Sequence, residues 1–388
     1  MPLTGEQRLL DLDHFTDLAD TTYLYTGAHS PAVRQVEAAM VAAYRQKSRG
    51  ELGRDALAET ELATRRSLGG LAGVAGHAVG LTGDASTVWS AIANGWSWRP
   101  GDNIVVNEFE HPAVFAPFLR LRQHGLEVRV VPRDADWDIS ATALLDHCDD
   151  RTVALALSHV GYVTGLRHDL DHLGRELQAR AIPFLVDVSH SLGVVDVDLT
   201  YVALAVSASY KWLLGPYGVG LVFWNSSLLP GFQPGAVGWR SLVDIFTDRR
   251  FEELNWHPDG SRFQMGAPAF AEIAGLGAAA DLLAGIDRGQ VQEHALALAG
   301  SARSALEEHG MQVLTPKDPD RHAGNVAFAH PDGDAVARRL ADKGVLLWGG
   351  DGRVRASFHV MNDLRDVDRL VDALARDLRQ HPLSGVSA

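Results

Sequence analysis

The sequence predicts an α/β protein whose large sheet is mostly parallel and covered by helices on both faces. Two observations carry this prediction: apolar runs of strand length recur from about residue 56 onward, and segments of helical periodicity lie between several of them. Strand, helix, strand in alternation is typical of parallel sheets. The strand-like runs are HAVGL at 77–81, NIVVN at 103–107, EVRVV at 127–131, TVALALS at 152–158, IPFLVD at 182–187, VALAVS at 202–207 and GLVFW at 220–224. The intervening helical segments include Ser86–Trp98, Pro112–His124 and His168–Arg180.

The pattern changes after about residue 270. Two longer helical stretches, 269–286 and 291–310, precede shorter strands near NVAFAH and RVRASFH and a closing helix at Asp366–Leu378. A chain of 388 residues is long enough for one large core and one smaller core. We therefore predict three parts: an N-terminal segment at 1–25 that packs with the small domain, a large domain at 26–270, and a small α+β domain at 271–388.

The composition argues against several classes of function. The net charge is −14, from 35 basic and 49 acidic residues without a basic cluster, so nucleic acid is not an expected partner. No apolar run is long enough to span a bilayer and the first residues do not resemble a signal peptide, so we expect a cytoplasmic protein that does not bind membranes. The single cysteine, Cys148, excludes an intramolecular disulfide and a cysteine-rich metal site, and we predict no bound metal.

Ligands in such sheets bind beyond the carboxyl ends of the strands, where two residues are informative. Lys211, in SASYKWLLG, is the only one of four lysines with apolar or aromatic neighbours on both sides. Poor hydration lowers the pKa of such an amine and makes it a nucleophile toward carbonyls, whereas the alternative is a strand-end lysine that reaches solvent. Asp187 follows IPFLV and is either a turn residue or the anion that keeps the ring nitrogen of pyridoxal 5'-phosphate (PLP) protonated.

Three further segments are candidates for the same site. Gly83–Thr87 opens a helix and offers backbone N–H groups and two hydroxyls to a phosphate, although every helix needs a cap of this kind. His111, in NEFEHPAV, is either a residue that lies flat against an aromatic ring or a structural histidine. Arg355, in RVRASFHVMN, is either a bidentate partner for a substrate carboxylate or a member of a surface ion pair.

Together these motifs resemble the class V aminotransferase family of fold-type I PLP enzymes, with the kynureninase and cysteine-desulfurase branches nearest. The segments that carry the resemblance are YLYTGAHSPAVRQVEAAM at 23–40, EHPAV at 110–114, SHVGYVTG at 158–165, DVSHSLGVVDVDL at 187–199, SASYKWLLGPYGVG at 207–220 and RASFHVMNDLRDVDRLVDAL at 355–374. The resemblance implies the fold-type I architecture, with a mostly parallel seven-stranded sheet and a smaller C-terminal α+β domain. It also implies PLP as cofactor and an amino acid or amino-acid conjugate as substrate.

The resemblance implies roles for individual residues. The catalytic residues would be Lys211 as the Schiff-base lysine, Asp187 as the partner of the pyridinium nitrogen, and His111 as the residue stacked on the ring. Arg355 would bind the substrate carboxylate, with His29 and Arg240 as further substrate-binding candidates. The implied cofactor-binding residues are Ser86, Thr87, His111, Asp187, His190, Tyr210, Lys211, Gly266 and Ala267.

Gly266 and Ala267 match a loop that reaches the phosphate of the neighbouring subunit in relatives, so a homodimer with shared sites is implied. The sequence departs from the pattern in three places. Ala267 replaces a threonine, Arg240 and Ser241 replace residues near the substrate of kynureninases, and GVLLWGGDGRVR at 344–355 lacks the persulfide-forming cysteine of desulfurases. The function we predict is a lyase that cleaves a C–S or C–C bond in the side chain of its substrate. The alternatives are an aminotransferase or epimerase of the same family, or a non-catalytic PLP-binding protein.

Overall fold

The computed structural model describes residues 5–381, which form two sheets with helices packed against them. The strands are β1 (Thr22–Leu24), β2 (Val79–Thr82), β3 (Asn103–Asn107), β4 (Glu127–Val131), β5 (Thr152–Ser158), β6 (Phe184–Asp187), β7 (Leu204–Ala208), β8 (Gly220–Trp224), β9 (Asn325–Ala329), β10 (Val345–Gly350) and β11 (Arg353–Ser357). The α-helices are α1 (Arg34–Arg45), α2 (Glu51–Ala72), α3 (Ala85–Gly95), α4 (Pro112–Arg120), α5 (Ala141–Asp146), α6 (Leu170–Ala179), α7 (Phe270–Ala284), α8 (Arg288–Glu308), α9 (Gly333–Ala341) and α10 (Leu364–Gln380).

The larger sheet has seven strands in the order β2-β8-β7-β6-β5-β3-β4. The pairs from β7 through β4 are parallel, and β8 runs antiparallel to both of its neighbours. The predicted mostly parallel α/β sheet is therefore confirmed. The predicted bounds of β3, β4, β5 and β8 coincide with the observed ones, whereas the residues just before β2 form a 3-10 turn at Gly76–Ala78 and shorten that strand.

Both faces of the central strands of the large sheet are buried, which explains why these strands carry few polar residues. In β5, Leu155 and Leu157 pack into one hydrophobic cluster, while Ala154 and Ala156 pack into a second cluster on the opposite face. Successive side chains of a strand point to opposite faces, so a strand buried on both sides is apolar throughout. The active-site groups are consequently restricted to the strand ends.

The smaller sheet has the strand order β1-β10-β11-β9 and is buried on the side of α8, α9 and α10. Its first strand, β1, pairs in parallel with β10, so the N-terminal part of the protein joins the C-terminal part. Helix α7 packs against α1 and α2, and its Ile273 and Leu276 belong to the core of the large sheet. The division at residue 270 and the assignment of 1–25 to the small domain stay predictions.

Within residues 5–381, no helix combines the length and the apolar character needed to cross a membrane.

Candidate active site

Two functional groups lie at the carboxyl ends of the adjacent strands β6 and β7. Asp187 is the last residue of β6, and its buried carboxylate accepts hydrogen bonds from Trp89 Nε1 at 3.0 Å and from the Ser189 backbone N–H at 2.8 Å. Lys211 lies on the segment that follows β7. The two N–H donors fix the orientation of the Asp187 carboxylate at this edge of the sheet, where ligands of α/β proteins bind.

The Lys211 amine lies 3.1 Å from Nε2 of His190. Burial lowers the pKa of Lys211 from 10.5 to about 8, with Asp187 opposing the shift and Arg355 adding to it. At pH 7 roughly a tenth of this amine is therefore neutral, about 300-fold more than for a lysine in water. The neutral form is the one that attacks a carbonyl.

The hydrogen bonds of His190 indicate which of its ring nitrogens carries the proton. Asn325 Nδ2 lies 3.0 Å from His190 Nδ1, and Ser357 Oγ donates to Asn325 Oδ1 at 2.8 Å. Because an amide N–H donates to Nδ1, the hydrogen of the neutral ring is on Nε2 and points at the Lys211 amine. Burial lowers the pKa of His190 well below its usual value, which keeps the ring neutral. Asn325 and Ser357 are thus positioning residues for the lysine, and the sequence analysis missed both.

His111 is the N-cap residue of α4, and its Nδ1 accepts a hydrogen bond from the Ala113 N–H at 3.1 Å. Its ring makes an edge contact with the ring of Tyr162, at 5.2 Å between centroids. The pKa of His111 is lowered, first by burial and then by Lys211, and Asp187 opposes the shift. The imidazole thus lies beside Tyr162, the residue whose carbonyl accepts a hydrogen bond from Arg355.

Glu110 is a buried carboxylate beside this site that the sequence analysis did not identify. It accepts hydrogen bonds from the backbone N–H and the hydroxyl of Ser158, at 2.8 and 2.7 Å, and from Asn107 Nδ2 at 2.6 Å. Burial raises its pKa to about 7 against the hydrogen bonds from Ser158, and Asp187 adds to the rise. Glu110 ties the segment that carries His111 to the end of β5. Its place directly before a histidine in NEFEHPAV was the available signal.

Arg355 is buried in β11 with one edge of its guanidinium free. Nη1 donates to the Tyr162 carbonyl at 2.6 Å, whereas Nε is buried and has no hydrogen-bond partner among residues 5–381. A Cβ atom on Gly27 would lie 3.2 Å from Nη2 and 2.6 Å from Ser357 Oγ, so the guanidinium packs closely against a residue that has to be glycine. Burial, and after it the charge of Arg353, lower the pKa of Arg355 to about 9. The free edge is suited to a carboxylate, which binds arginine through two parallel hydrogen bonds.

The predicted phosphate end begins at α3, where Ser86 is exposed and Thr87 is already hydrogen-bonded. The backbone N–H and the hydroxyl of Thr87 both donate to the carboxylate of Asp84, the N-cap residue, at 2.7 and 3.0 Å. A phosphate can use these two donors only after the Asp84 carboxylate releases them. Space for it exists, because a Cβ atom added to Gly83 would contact nothing within 4 Å.

The other predicted cofactor residues line the same end of the site. Tyr210 stacks on Tyr217 with 4.4 Å between ring centroids, and burial followed by Tyr217 raises the pKa of Tyr210. Gly266 and Ala267 line a cavity of about 280 Å³ together with Gly83 of the same protomer.

The structure separates the two secondary substrate-binding candidates. His29 accepts a hydrogen bond from the Tyr23 hydroxyl at its carbonyl, 2.9 Å away, and its ring lies 5.9 Å from that of Tyr217. It therefore borders the aromatic residues next to Lys211. Arg240 instead forms an ion pair with Glu61 at 2.9 Å and lines a separate cavity of about 760 Å³, so it is not brought to Lys211 within this protomer.

These residues fit PLP, the cofactor that the family resemblance implies. Lys211 offers an amine with a lowered pKa, and Asp187 offers an oriented carboxylate on the neighbouring strand. The buried, unpartnered Nε of Arg355 offers a place for a substrate carboxylate. At the phosphate end, the space beside Gly83 has room for a phosphate group. The Asp84 carboxylate, however, already accepts the hydrogen bond of the Thr87 hydroxyl that the phosphate would need.

Comparisons with known proteins identify the family and the fold of the protein. The family model described as aminotransferase class-V matches residues 22–370. A cysteine desulfurase of Yersinia pestis is 30% identical over 296 residues, covering 71% of each protein, and a probable cysteine desulfurase of Methanothermobacter thermautotrophicus is 26% identical, covering 92% of this protein and 94% of the relative. Two solved structures share the fold. One is a cysteine desulfurase from Thermococcus onnurineus (TM-score 0.85, 21% identity, 95% and 97% coverage), and the other a cystine C–S lyase with its product cysteine persulfide (TM-score 0.84, 24% identity, 93% and 99% coverage).

The family match spans most of the sequence, and the cysteine desulfurase relatives cover it at comparable length. The prediction of a PLP-dependent enzyme of fold-type I architecture is thereby confirmed. The residues assigned to the individual roles within the site stay predictions. Because this family model matches residues 22–370, the chain belongs to the class V aminotransferase family.

Proposed function

We propose that this protein is a PLP-dependent lyase that cleaves the C–S bond of cysteine or of an S-substituted cysteine, as a cytoplasmic homodimer, without using a cysteine of its own. The contact between Lys211 and His190, with Asp187 on the adjacent strand, supports the cofactor chemistry. The relatives named above include cysteine desulfurases and a cystine C–S lyase, which supports sulfur as the leaving atom. A single cysteine in the sequence is typical of a reducing compartment such as the cytoplasm.

Two observations support the proposal that no cysteine of the protein accepts the sulfur as a persulfide. The segment between β10 and β11 is a tight turn at Asp351 and Gly352, both at positive φ, and carries no cysteine. Cys148 lies just after α5, its thiol is 3.5 Å from the Leu144 carbonyl, and burial raises its pKa to about 11. A thiol with a raised pKa is a poor nucleophile at neutral pH. The released sulfur group would therefore leave as a free thiol or persulfide.

PLP, when bound, supplies an electron sink for the negative charge that develops at the substrate Cα. Arg355 would hold the substrate carboxylate at its free Nε edge, and the Asp187 carboxylate would lie beside the ring nitrogen. The neutral Lys211 amine would accept the proton from Cα. His190 orients the lone pair of that amine through its Nε2–H, because Asn325 occupies Nδ1. The Cβ–S bond then breaks, and the sulfur leaves with the bonding electrons and takes up a proton.

A product screen of the holoenzyme tests this function. Cysteine, cystine, an S-alkyl cysteine, kynurenine and common amino acids should be incubated with and without pyruvate or 2-oxoglutarate. We expect pyruvate and ammonia without any added keto acid, together with sulfide from cysteine, a persulfide from cystine and a thiol from the S-alkyl cysteine, and the same result for Cys148→Ser. Strict dependence on a keto acid would make the protein an aminotransferase. Inversion at Cα without a released fragment would make it an epimerase, and loss of activity in Cys148→Ser would show that the thiol accepts sulfur.

The pKa of Lys211 predicts how cofactor loading depends on pH. The neutral amine reacts with the aldehyde of PLP, and burial lowers the pKa of this amine from 10.5 to about 8. The rate at which PLP joins the apoprotein should therefore rise with pH up to about 8 and then level off. The visible absorbance of the lysine-bound cofactor measures the rate, with Nα-acetyl-lysine as control. A rate for the protein that keeps rising to pH 10.5, as expected for the free amine, would contradict the lowered pKa.

The proposed homodimer is supported by exposed aromatic side chains in the segment 239–251, whose Trp239 adjoins Gly266. Phe246 is 79% exposed, Phe251 is 88% exposed and Trp239 is 49% exposed. Exposed apolar clusters of this kind mark interaction surfaces. Sedimentation should show a dimer at micromolar concentration, and the double change of Phe246 and Phe251 to aspartate should shift it to monomer. A wild-type monomer, or a variant that stays dimeric, would rule out this surface.

A further inference from the structure

β11 carries a second arginine, Arg353, on the same face as Arg355 and Ser357. Side chains alternate along a strand, and Val354 and Ala356, on the opposite face, are fully buried in the core of the smaller sheet. Ser357 is linked through Asn325 and His190 to Lys211. The face that bears the two arginines therefore looks into the active site. Arg353 occupies the end of this face that is farther from the lysine.

The guanidinium of Arg353 is buried between two aromatic rings. Its central carbon lies 4.6 Å from the ring centroid of Trp348 and 5.4 Å from that of Tyr162, and the residue is only 5% exposed. Its Nε and Nη2 atoms are buried without a hydrogen-bond partner in the described part of the protein. A buried donor left unpaired destabilises the folded protein, more so when it carries charge. The open edge of Arg353 thus lacks an acceptor.

The surrounding carboxylates do not compensate the two cations. Within residues 5–381, the only carboxylate within 4 Å of either guanidinium is that of Asp351, which lies 3.5 Å from Nη1 of Arg353 and is 68% exposed. Arg353 also lowers the pKa of Arg355, which shows that the two charges repel each other. The α-carboxylate of an amino acid would satisfy Arg355 alone. A second anion would satisfy the Nε and Nη2 atoms of Arg353, which the exposed carboxylate of Asp351 does not reach.

We propose that Arg353, Tyr162 and Trp348 form a second anion subsite, which selects S-substituted cysteines whose sulfur substituent carries a carboxylate. Residues two apart on a strand are separated by about 7 Å, close to the distance between the two carboxylates of an S-carboxyalkyl cysteine. Tyr162 and Trp348 are both partly exposed. An anion can therefore reach the guanidinium of Arg353 if one of these side chains rotates, without a change in the backbone. The selection of S-substituted cysteines as substrates rests on the proposed C–S lyase function. The binding of an anion at Arg353 does not depend on that function.

Two substrates of matched length test the subsite in the holoenzyme. S-carboxymethyl-L-cysteine and S-ethyl-L-cysteine differ in whether the substituent ends in a carboxylate or a methyl group. The wild type should cleave the anionic substrate with a kcat/KM at least about 10-fold higher. Arg353→Met should lower kcat/KM for S-carboxymethyl-L-cysteine by about 10- to 100-fold, the range expected for a lost charge-assisted hydrogen bond. It should change the value for S-ethyl-L-cysteine by less than about threefold.

The variant is chosen so that folding does not obscure the result, because a hydrophobic residue of similar volume often replaces a buried charge without loss of stability. Arg338→Met is the matched control, since Arg338 pairs with Asp334 on the exposed face of α9 and its side chain is 76% exposed. The control should leave both substrates unaffected. Equal losses on both substrates in Arg353→Met would show that Arg353 supports the α-carboxylate site and would overturn the proposal. A wild type without preference for the anionic substrate would also overturn it.

A binding measurement separates this proposal from the proposed reaction. If the wild type cleaves no S-substituted cysteine, the lyase function fails, and calorimetric titration of the holoenzyme with glutarate and pentanoate decides the subsite alone. These ligands have the same number of carbon atoms and differ by one carboxylate. Glutarate should bind at least about 10-fold more tightly, and Arg353→Met should abolish the difference. Equal affinities in the wild type would contradict the subsite whatever the reaction is.

Discussion

Replacement of Asp187 with asparagine should lower kcat by about 10²- to 10³-fold, the size of effect seen when one preorganised electrostatic contact is removed from an active site. The carboxylate is the only group we assign to keep the cofactor ring nitrogen protonated, and a neutral amide cannot do so. The change also affects hydrogen bonding. Trp89 Nε1 and the Ser189 N–H both donate to Asp187, and an asparagine can accept only one of these bonds while its NH₂ group faces the other donor.

The measurement for Asp187→Asn is single-substrate kinetics at saturating PLP, together with a thermal unfolding curve. One lost hydrogen bond to a buried donor should lower the free energy of unfolding by about 1–3 kcal/mol. Asp377→Asn is the matched control, because Asp377 is a buried carboxylate in α10 that pairs with Arg339 at 2.7 Å. The control should lose stability and keep its kcat. A kcat for Asp187→Asn close to that of the wild type would remove Asp187 from the mechanism.

Replacement of Arg355 with lysine should raise KM by about 10- to 100-fold, because a lysine cannot reproduce the planar pair of donors that a carboxylate binds. The lysine would also lose the hydrogen bond that Nη1 donates to the Tyr162 carbonyl at 2.6 Å. The positive charge remains, so kcat should fall by less than about 10-fold. This separation of KM from kcat distinguishes loss of substrate binding from loss of the fold.

The control for Arg355→Lys is Arg339→Lys, at an arginine that also makes two parallel bonds to a carboxylate, that of Asp377. It should reduce stability and leave KM unchanged. An unchanged KM in Arg355→Lys would assign the substrate carboxylate to another residue. His29, which borders the aromatic residues beside Lys211, would then be the next candidate.

Most strands of the large sheet could be predicted from the sequence because they are buried on both faces. β3, β5 and β8 are apolar runs bounded by polar or turn residues, whereas the edge strand β4 was recognised from its valines although Glu127 and Val130 are exposed. Helix α2 was not predicted, because part of its buried face consists of Glu61, Thr64 and Arg65, which hide the apolar periodicity. Tertiary contacts to Gln264 and Ser261 bury these polar groups, and such contacts are not visible in a local pattern.

In the candidate site, too, some residues could be identified from a local sequence pattern and others only from tertiary packing. Lys211 and Asp187 could be proposed from the sequence because each follows or ends an apolar run, and the structure does place both at the carboxyl edge of the sheet. Asn325 was missed because its partner His190 is 135 residues away in the sequence, and only the packing of the two sheets brings them together. Asp84 occupies the donors of Thr87 because aspartate is a favoured N-cap residue. Its negative charge also repels a phosphate at the same helix terminus.

The central claim is that Lys211 carries the cofactor, and reduction with borohydride followed by peptide mapping tests it most directly. The purified protein loaded with PLP should be yellow, and reduction should fix the cofactor irreversibly to one peptide that contains Lys211. The sequence has only three other lysines, Lys47, Lys317 and Lys343, so the assignment is unambiguous. Lys211→Ala should give no reduced adduct and no turnover. An adduct on any of the other three lysines, or none at all in the wild type, would contradict this account.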